Sequence, residues 1–288
     1  MLAGTGAGLR GSAPLGTAGG AVVAVAGCHR QRRRPHRAHP LMPPGDPVLV
    51  TGSAGRLGRA VVAELLFHGH AVRPFDRMPT PGCGDPGGCS LLDPVQLDDA
   101  LRGCTSLVHL AATPDDLDFA TELVPNNVVG LKEVLDAAVR QRVRRIVLAS
   151  SIQVNLRQSR SGPWPVRLGD PPSPLRWYAA TKVFMESAGY SYAADHGLEV
   201  IAVRLGWCPR TAGQVAEIEG EAIARDTYLS PGDAGRFFRR SIEAAVPAGF
   251  HVVFATSRPV HRWVFDPEPA RRLLDWEPLD EWPTGALP

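Results

Sequence analysis

The chain has 288 residues, of which 44% are hydrophobic, and a formal net charge of +2. That length is enough for one large domain or two small ones with a real hydrophobic core. The nearly balanced charge gives no electrostatic reason to expect a nucleic-acid partner, and no apolar run is long enough to predict a membrane span. The five cysteines form no CxxC or cysteine–histidine pattern, so we expect no metal site and reduced thiols in the cytoplasm.

Residues 1–46 differ from the rest of the chain in composition. They are rich in glycine, alanine and proline, and they hold six arginines against one acid. We expect a disordered extension or an upstream start codon, since Met42 stands only six residues before the first strand-like run. An arginine-rich organelle transit peptide is the alternative.

The first strand and helix are predicted around a glycine-rich turn. An apolar run over residues 48–50 enters Thr51-Gly52-Ser53-Ala54-Gly55-Arg56-Leu57-Gly58, and apolar residues at helical spacing follow. Strand, tight turn and helix are the parts of a dinucleotide-binding unit, in which the diphosphate sits on the helix N-terminus. The candidate cofactor-binding residues here are Gly52, Ser53, Gly55, Arg56, Leu57 and Gly58.

A second strand-like run, over residues 71–75, ends at Asp76, 18 residues after Gly58. A carboxylate in this place accepts hydrogen bonds from the adenosine ribose hydroxyls and repels a 2′-phosphate. Asp76 therefore favours NAD as the cofactor. NADP stays open, because a guanidinium from Arg56 or Arg77 is able to pair with a 2′-phosphate.

The remaining pattern alternates strands and helices, which predicts a parallel α/β sheet. We expect further strands at 106–110, 145–149, 198–204 and 250–255, and helices at about 94–103, 126–140, 178–196, 232–245 and 267–274. A long loop with five prolines separates the fourth strand of the chain from the helix at 178–196. Ligands of such sheets bind at the carboxyl ends of the strands, where distant parts of the sequence converge.

The main chemical signal is a tyrosine and a lysine four residues apart. Tyr178 and Lys182 lie on one face of their predicted helix. The lysine cation is expected to lower the pKa of the phenol, so that Tyr178 exchanges a proton with a substrate hydroxyl while carbon passes a hydride to nicotinamide. Ser151, at the end of the fourth strand, is expected to bond the same oxygen, and Asn127 to support the relay.

In this order the residues resemble the extended short-chain dehydrogenase/reductase family, the NAD-dependent epimerase/dehydratase group. The matching segments cover about residues 47–210 and are the glycine-rich turn, Asp76, His109-Leu110-Ala111-Ala112, Asn127-x-x-Gly130, Ser150-Ser151, Tyr178-x-x-x-Lys182, and Arg204 with Gly206. Within the family the chain is most similar to the uronate dehydrogenase-like branch. The resemblance implies a Rossmann-type doubly wound parallel sheet and a homodimer paired through two helices. It also implies that adenosine contacts Ser90 and Leu91, and that Leu110, Ala111 and Ala112 line the cofactor groove.

The chain departs from that branch where the substrate would bind. The residues after the catalytic serine are Ile152 and Gln153 instead of Asn-His, and two pocket serines correspond to Pro114 and Trp207. The arginine that binds the sugar carboxylate in that branch falls in the region of Arg210 and Arg225. The fold, the cofactor and the Ser-Tyr-Lys set are therefore better defined than the substrate.

We predict an NAD-dependent oxidoreductase that acts on a small sugar, sugar acid or polyol. Residues 47–210 form the cofactor-binding core with the catalytic residues, and residues 211–288 form a small substrate-binding portion that completes the fold. Ile152 and Gln153 supply no acid and base for dehydration. A nucleotide-sugar epimerase, which needs only the Tyr/Lys pair, and a non-catalytic NAD(P)-sensing protein remain as alternatives.

Overall fold

The computed structural model describes residues 47–286, and its centre is one sheet of six parallel strands. The strands are β1 (Val48–Thr51), β2 (Val72–Phe75), β3 (Ser106–His109), β4 (Arg145–Ser151), β5 (Glu199–Leu205) and β6 (Gly249–Ala255). They lie in the order β2-β1-β3-β4-β5-β6. The strand order reverses between β1 and β3, which is the switch point where such sheets bind ligands. The extension predicted over residues 1–46 lies outside the described residues.

Helices cover both faces of the sheet. They are α1 (Arg56–Phe67), α2 (Pro94–Leu101), α3 (Gly130–Arg140), α4 (Leu156–Ser161), α5 (Trp177–His196), α6 (Ala212–Gly220), α7 (Ala222–Asp226), α8 (Pro231–Glu243) and α9 (Glu268–Leu274). One core packs α1 and α8 on the sheet through side chains such as Leu65 and Phe237. The core on the other face includes Leu135 of α3 and Met185 of α5. The predicted doubly wound parallel sheet is confirmed.

Burial on two faces explains the strand sequences. Every residue of β1, β3, β4 and β5 is buried, and strands covered on both sides are near-continuous apolar runs rather than alternating ones. Among residues 47–286, no helix has both the length and the apolar character that a membrane crossing requires.

The segment before α3 differs from the single helix predicted over residues 126–140. A π-helix of 11 residues, Phe119–Val129, comes first, and the Asp118 carboxylate caps it by accepting a hydrogen bond from the backbone N–H of Thr121 at 2.8 Å. Pro125 lies inside this π-helix and has no N–H to donate. Its carbonyl accepts from the backbone N–H of Gly130, which joins the π-helix to α3.

Two regions predicted as loops contain short helices. The proline-rich segment after β4 holds a 3₁₀ turn, Ile152–Asn155, and then α4. The segment after β5 holds α6 and α7, and the Thr211 hydroxyl caps α6 by accepting from the backbone N–H of Gln214 at 3.3 Å. These two segments stand at the carboxyl ends of β4 and β5 and form the outer walls of the site.

Candidate active site

A cleft of about 520 Å³ opens at the carboxyl ends of the strands, and its volume falls within the range of small-ligand sites. The glycine-rich turn lies at one end, and the start of α5 lies at the other. Ten of the predicted site residues line it, namely Gly52, Gly55, Arg56, Leu57, Gly58, Leu110, Ala112, Ser151, Tyr178 and Lys182.

Two glycines of the turn are required by geometry. Gly52 has a φ of 71°, and a Cβ there would lie 2.6 Å from the backbone nitrogen of Ala111. A Cβ on Gly58 would lie 2.0 Å from the carbonyl oxygen of Gly52. The start of α1 therefore packs directly on the turn, as the helix of a dinucleotide-binding unit does.

The first turn of α1 faces the cleft and forms a cradle for an anion. Gly55 at its N-cap provides no side-chain hydrogen bond to the helix, so no capping side chain occupies the first backbone N–H groups of α1. Backbone N–H groups of this kind, together with the helix dipole, attract negative charge. The Arg56 guanidinium is held beside them by the carbonyl oxygens of Gly285 and Ala286, at 2.7 and 3.2 Å. The cradle therefore fits the diphosphate of a dinucleotide.

Asp76 lies at the end of β2, beside the glycine-rich turn. Its two carboxylate oxygens accept hydrogen bonds from the backbone N–H groups of Ala54 and Met78, each at 3.0 Å. Ser53 is fully buried behind the turn, where its hydroxyl accepts from Phe75 N at 3.1 Å. The side chain of Ser53 therefore supports the turn and does not line the cleft.

Besides Asp76 and Ser53, three other predicted cofactor residues lie outside the cleft lining. The Ser90 hydroxyl accepts from the backbone N–H of Leu92 at 3.2 Å. Leu91 packs on the core that contains α3, and the Ala111 N–H donates to Thr51 Oγ1 at 3.3 Å. Contacts of Ser90, Leu91 and Ala111 with adenosine or nicotinamide therefore stay predictions.

Ser151, Tyr178 and Lys182 meet at the carboxyl end of β4. The buried Lys182 ammonium donates to the Ala149 carbonyl at 2.8 Å and lies 5.5 Å from the centroid of the Tyr178 ring. The Ser151 hydroxyl reaches the phenol oxygen. The Asp116 carboxylate accepts from the backbone N–H of Tyr178 at 2.9 Å, so the loop after β3 fixes the first turn of α5.

The pKa of Tyr178 is raised, in contrast to the expectation that Lys182 lowers it. Burial raises the pKa of Tyr178 to about 12, although the Arg210 charge and the hydrogen bond with Ser151 act in the opposite direction. Burial also lowers the pKa of Lys182 to about 8. Loss of water disfavours both charged forms, and in this chain that effect exceeds the attraction between neighbouring groups.

A buried network behind the site ties β4, β5 and α5 together. The carboxylate of Glu186, one helical turn beyond Lys182, accepts from Ser150 Oγ at 2.6 Å and from Arg204 Nη2 at 2.7 Å. The same guanidinium donates to Asn155 Oδ1 at 2.8 Å. Because buried charges are tolerated only when they are paired and hydrogen-bonded, this network fixes the strand end that carries Ser151.

Asn127 contacts the loop after β3 and α5 instead of the catalytic groups. Its side-chain oxygen accepts from Thr113 N at 2.8 Å, and its side-chain nitrogen donates to Thr113 O at 3.0 Å and to Thr181 Oγ1 at 3.2 Å. Thr181 is the neighbour of Lys182, so these bonds position the helix. The predicted part of Asn127 in a proton relay stays a prediction.

His109 joins two strands of the sheet and does not line the cleft. It is buried at the end of β3, and its Nδ1 lies 2.8 Å from Thr51 Oγ1. Burial, assisted by the charge of Lys182, lowers its pKa to about 3. The imidazole is therefore neutral at pH 7 and joins β3 to β1 by a hydrogen bond.

The substrate end of the cleft contains most of the residues that set this chain apart from the uronate dehydrogenase-like branch. They are Pro114, Ile152, Gln153 and Trp207, and Arg210 also lines the cleft. Arg210 forms an ion pair with Asp115 across the cleft. Arg225 does not line the cleft, because its guanidinium donates to the carbonyl of Glu219.

Both outer walls were missed by the sequence analysis. The wall from α4 and the start of α5 adds Leu156, Ser159, Arg160 and Arg176, and the wall from α6 and α7 adds Gln214, Glu217, Glu221 and Ile223. One usable signal was present for α6, because Thr211-x-x-Gln214 has the residue spacing of a capping box. The five prolines that follow α4 predict a loop, so the sequence pattern does not indicate the wall that contains α4.

Comparison with known proteins agrees with this geometry. Residues 48–207 match the model of the NAD dependent epimerase/dehydratase family. The chain is 34% identical to L-arabinose 1-dehydrogenase (NAD(P)(+)) of Haloferax volcanii, over 69% of this chain and 84% of that protein. It is 26% identical to uronate dehydrogenase of Pseudomonas syringae pv. tomato, over 84% of this chain and 85% of that protein.

Solved structures agree with the fold. The crystal structure of uronate dehydrogenase from Agrobacterium tumefaciens superposes with a TM-score of 0.65 at 26% identity, covering 82% of this chain and 85% of that one. The family match includes β1 to β5, the glycine-rich turn and the Ser-Tyr-Lys set. The chain belongs to the NAD-dependent epimerase/dehydratase family.

Proposed function

We propose that this protein is an oxidoreductase that transfers a hydride between NAD and a hydroxyl-bearing carbon of a small sugar, sugar acid or polyol. The observation that carries the proposal is the meeting of Ser151, Tyr178 and Lys182 in the same cleft as the glycine-rich cradle. The substrate class is supported by relatives named as arabinose and uronate dehydrogenases.

The catalytic roles follow from the positions of the side chains. When bound, the nicotinamide supplies the hydride acceptor. Ser151 holds the substrate oxygen by a hydrogen bond, and Tyr178 takes the hydroxyl proton during oxidation and returns it during reduction. The Lys182 ammonium, oriented by the Ala149 carbonyl at 2.8 Å, stabilises negative charge that develops on the phenol.

The cofactor would lie along the groove from Asp76 to Tyr178. The backbone at Gly52, Gly55 and Gly58 would hold the diphosphate, and Leu110 and Ala112 would line the nicotinamide side. Asp76 supports NAD, since its carboxylate is already fixed beside the turn by two backbone N–H groups. Residues 211–288 would contribute the second wall of the substrate pocket through α6 and α7.

A homodimer paired through α3 and α5 is part of the proposal. Val129, just before α3, and Phe184, on α5, are each 42% exposed, which is unusual for large apolar side chains in the middle of helical segments. Light scattering on the wild-type protein as it elutes from a size-exclusion column should give twice the monomer mass. The Phe184→Glu variant should give the monomer mass. A wild-type monomer at all concentrations would contradict this part.

The function is tested by absorbance at the reduced-nicotinamide band. The protein is incubated with NAD and, separately, with NADP against aldoses, uronic acids, polyols and nucleotide sugars. We expect reduction of NAD with a small sugar, sugar acid or polyol, and slower reduction of NADP at equal concentration. Isomerisation of a nucleotide sugar without net reduction would identify the epimerase instead, and tight NAD binding without turnover of any compound would identify a sensor.

A further inference from the structure

Two arginines that line the cleft have side chains without a partner among residues 47–286. Arg160 on α4 and Arg176 at the N-cap of α5 both line the cleft and are exposed. Within residues 47–286, neither guanidinium makes a hydrogen bond, an ion pair or a ring contact. The two other guanidinium groups that line the cleft are engaged, Arg56 with the carbonyls of Gly285 and Ala286, and Arg210 with Asp115.

The backbone of this segment turns both arginines toward the same wall. Arg160 lies four residues after Leu156, which also lines the cleft, so the two side chains share one face of α4. The chain then returns to the same place, because Arg157 N donates to Ser173 O at 3.2 Å and Ser173 N donates to Val154 O at 2.7 Å. Arg176 follows three residues later, two residues before Tyr178.

The charge of the whole segment supports an anionic ligand. Residues 152–176 contain four arginines and one acid, Asp170. The Asp170 carboxylate is engaged in two hydrogen bonds, which it accepts from Gln158 Nε2 at 2.8 Å and from Arg167 N at 2.7 Å. The described residues that line the cleft include five basic and three acidic side chains, and a concave site with excess positive charge attracts anions and raises their local concentration.

The opposite wall has the complementary chemistry. Glu217 and Glu221, from α6 and its C-cap, line the cleft, and their carboxylates form no ion pair among the described residues. Carboxylates accept hydrogen bonds from hydroxyl groups. A ligand between the two walls is therefore matched if it has hydroxyls on one side and an anionic group on the other.

We propose that Arg160 and Arg176 form a subsite for an anionic group, a carboxylate or a phosphoryl monoester, at the end of a polyhydroxylated substrate remote from the reacting carbon. The inference rests on the proposed function, because it places the reacting carbon at Tyr178. Guanidinium groups bind both anions through paired N–H···O bonds, so a carboxylate and a phosphoryl monoester are recognised by the same chemistry. Arg56 is held at the glycine-rich cradle, Lys182 donates to the Ala149 carbonyl, and Arg210 is paired with Asp115. Arg160 and Arg176 are therefore the cations left to bind the anion in the described part of the cleft.

The test measures binding and turnover separately. A hexose, the hexuronic acid and the hexose 6-phosphate are titrated by calorimetry into the wild-type protein saturated with NADH, and KM is measured for each compound with NAD. We expect one of the two anionic compounds to bind the wild type at least tenfold more tightly than the hexose. Arg160→Gln and Arg176→Gln should each raise its Kd about tenfold, and leave the Kd of the hexose unchanged.

Arg157→Gln is the matched control, because Arg157 is exposed on the same helix but does not line the cleft. The proposal is overturned if the wild type does not prefer an anionic compound, if the control weakens binding as much as the two variants, or if both variants weaken the hexose equally. Loss of anion binding without turnover of any compound supports the subsite and contradicts the dehydrogenase. Turnover by the wild type, together with an unchanged Kd of the anionic compound in both variants, supports the dehydrogenase and contradicts the subsite.

Discussion

Replacing Tyr178 by phenylalanine is expected to lower kcat for alcohol oxidation by about 10²- to 10⁴-fold, the usual contribution of a positioned acid–base group. The phenol is the titratable hydroxyl beside Ser151 and Lys182 in the cleft, and phenylalanine has no hydroxyl to carry the proton. The affinity for NADH should change only a few-fold, because the glycine-rich cradle is untouched. Stopped-flow measurement of hydride transfer and a fluorescence titration with NADH check the two statements.

The same tyrosine predicts the pH dependence of the two reaction directions. Oxidation needs the phenolate, and with a pKa of about 12 for Tyr178 its fraction rises about tenfold per pH unit below that value. Oxidation should therefore accelerate as pH rises from 6 toward about 8, the pKa at which half of Lys182 has lost its proton. Reduction needs the neutral phenol, which is present throughout this range, so its rate should not rise.

Tyr192→Phe is the matched control for Tyr178→Phe. Tyr192 lies on the same helix, and its hydroxyl donates to the Asp136 carboxylate away from the cleft. This control should keep the wild-type rate and pH profile. Unchanged hydride transfer in Tyr178→Phe would remove the phenol from the mechanism.

Gly58→Ala is expected to weaken NAD binding by more than tenfold and to lower the free energy of unfolding by about 1–3 kcal/mol, the usual cost of overpacking. A Cβ at this position would lie 2.0 Å from the carbonyl oxygen of Gly52 and 2.7 Å from Ser53 Cα. Both atoms belong to the backbone of the turn, so the clash cannot be relieved by a rotamer change. The start of α1 must move away, and the N–H groups of the cradle move with it.

Calorimetric titration with NAD and urea unfolding measure the two effects. Gly213→Ala is the control, since a Cβ there, in the first turn of α6, meets only Thr211 Oγ1, at 3.8 Å. That variant should bind NAD normally and should be as stable as the wild type or slightly more stable. If Gly58→Ala bound NAD like the wild type, the glycine-rich turn would not be the cofactor site.

Local chemistry made much of the fold and part of the site predictable. The tight turn at Gly52, the close packing at Gly58 and the carboxylate at the end of β2 each depend on a few residues near in sequence, so their spacing indicates their role. Tyr178 and Lys182 are likewise related by one helical turn. Continuous apolar runs predicted the strands because both faces of the sheet are covered.

The outer walls depend on contacts that are distant in sequence. α4 is only six residues long and is followed by five prolines between residues 163 and 174, and a helix of that length is not stable by itself. It forms because the segment around Ser173 returns to bond Val154 and Arg157. No local sequence pattern predicts that the chain returns in this way, so the sequence predicts that Arg160 and Arg176 lie in a loop.

The sequence by itself determined the order of the six strands and the longer helices, together with the positions of the glycine-rich turn, Asp76 and the Ser-Tyr-Lys residues in that order. These features rest on spacing along the chain and on the period of apolar residues. The tertiary structure alone decided which residues form the outer walls of the cleft and how the pKa values of Tyr178 and Lys182 shift. The reason is that the pKa of Tyr178 depends on the exclusion of water and on Arg210, Asp115 and Ser151. These residues come from three separate strand ends, and they come together only when the sheet is complete.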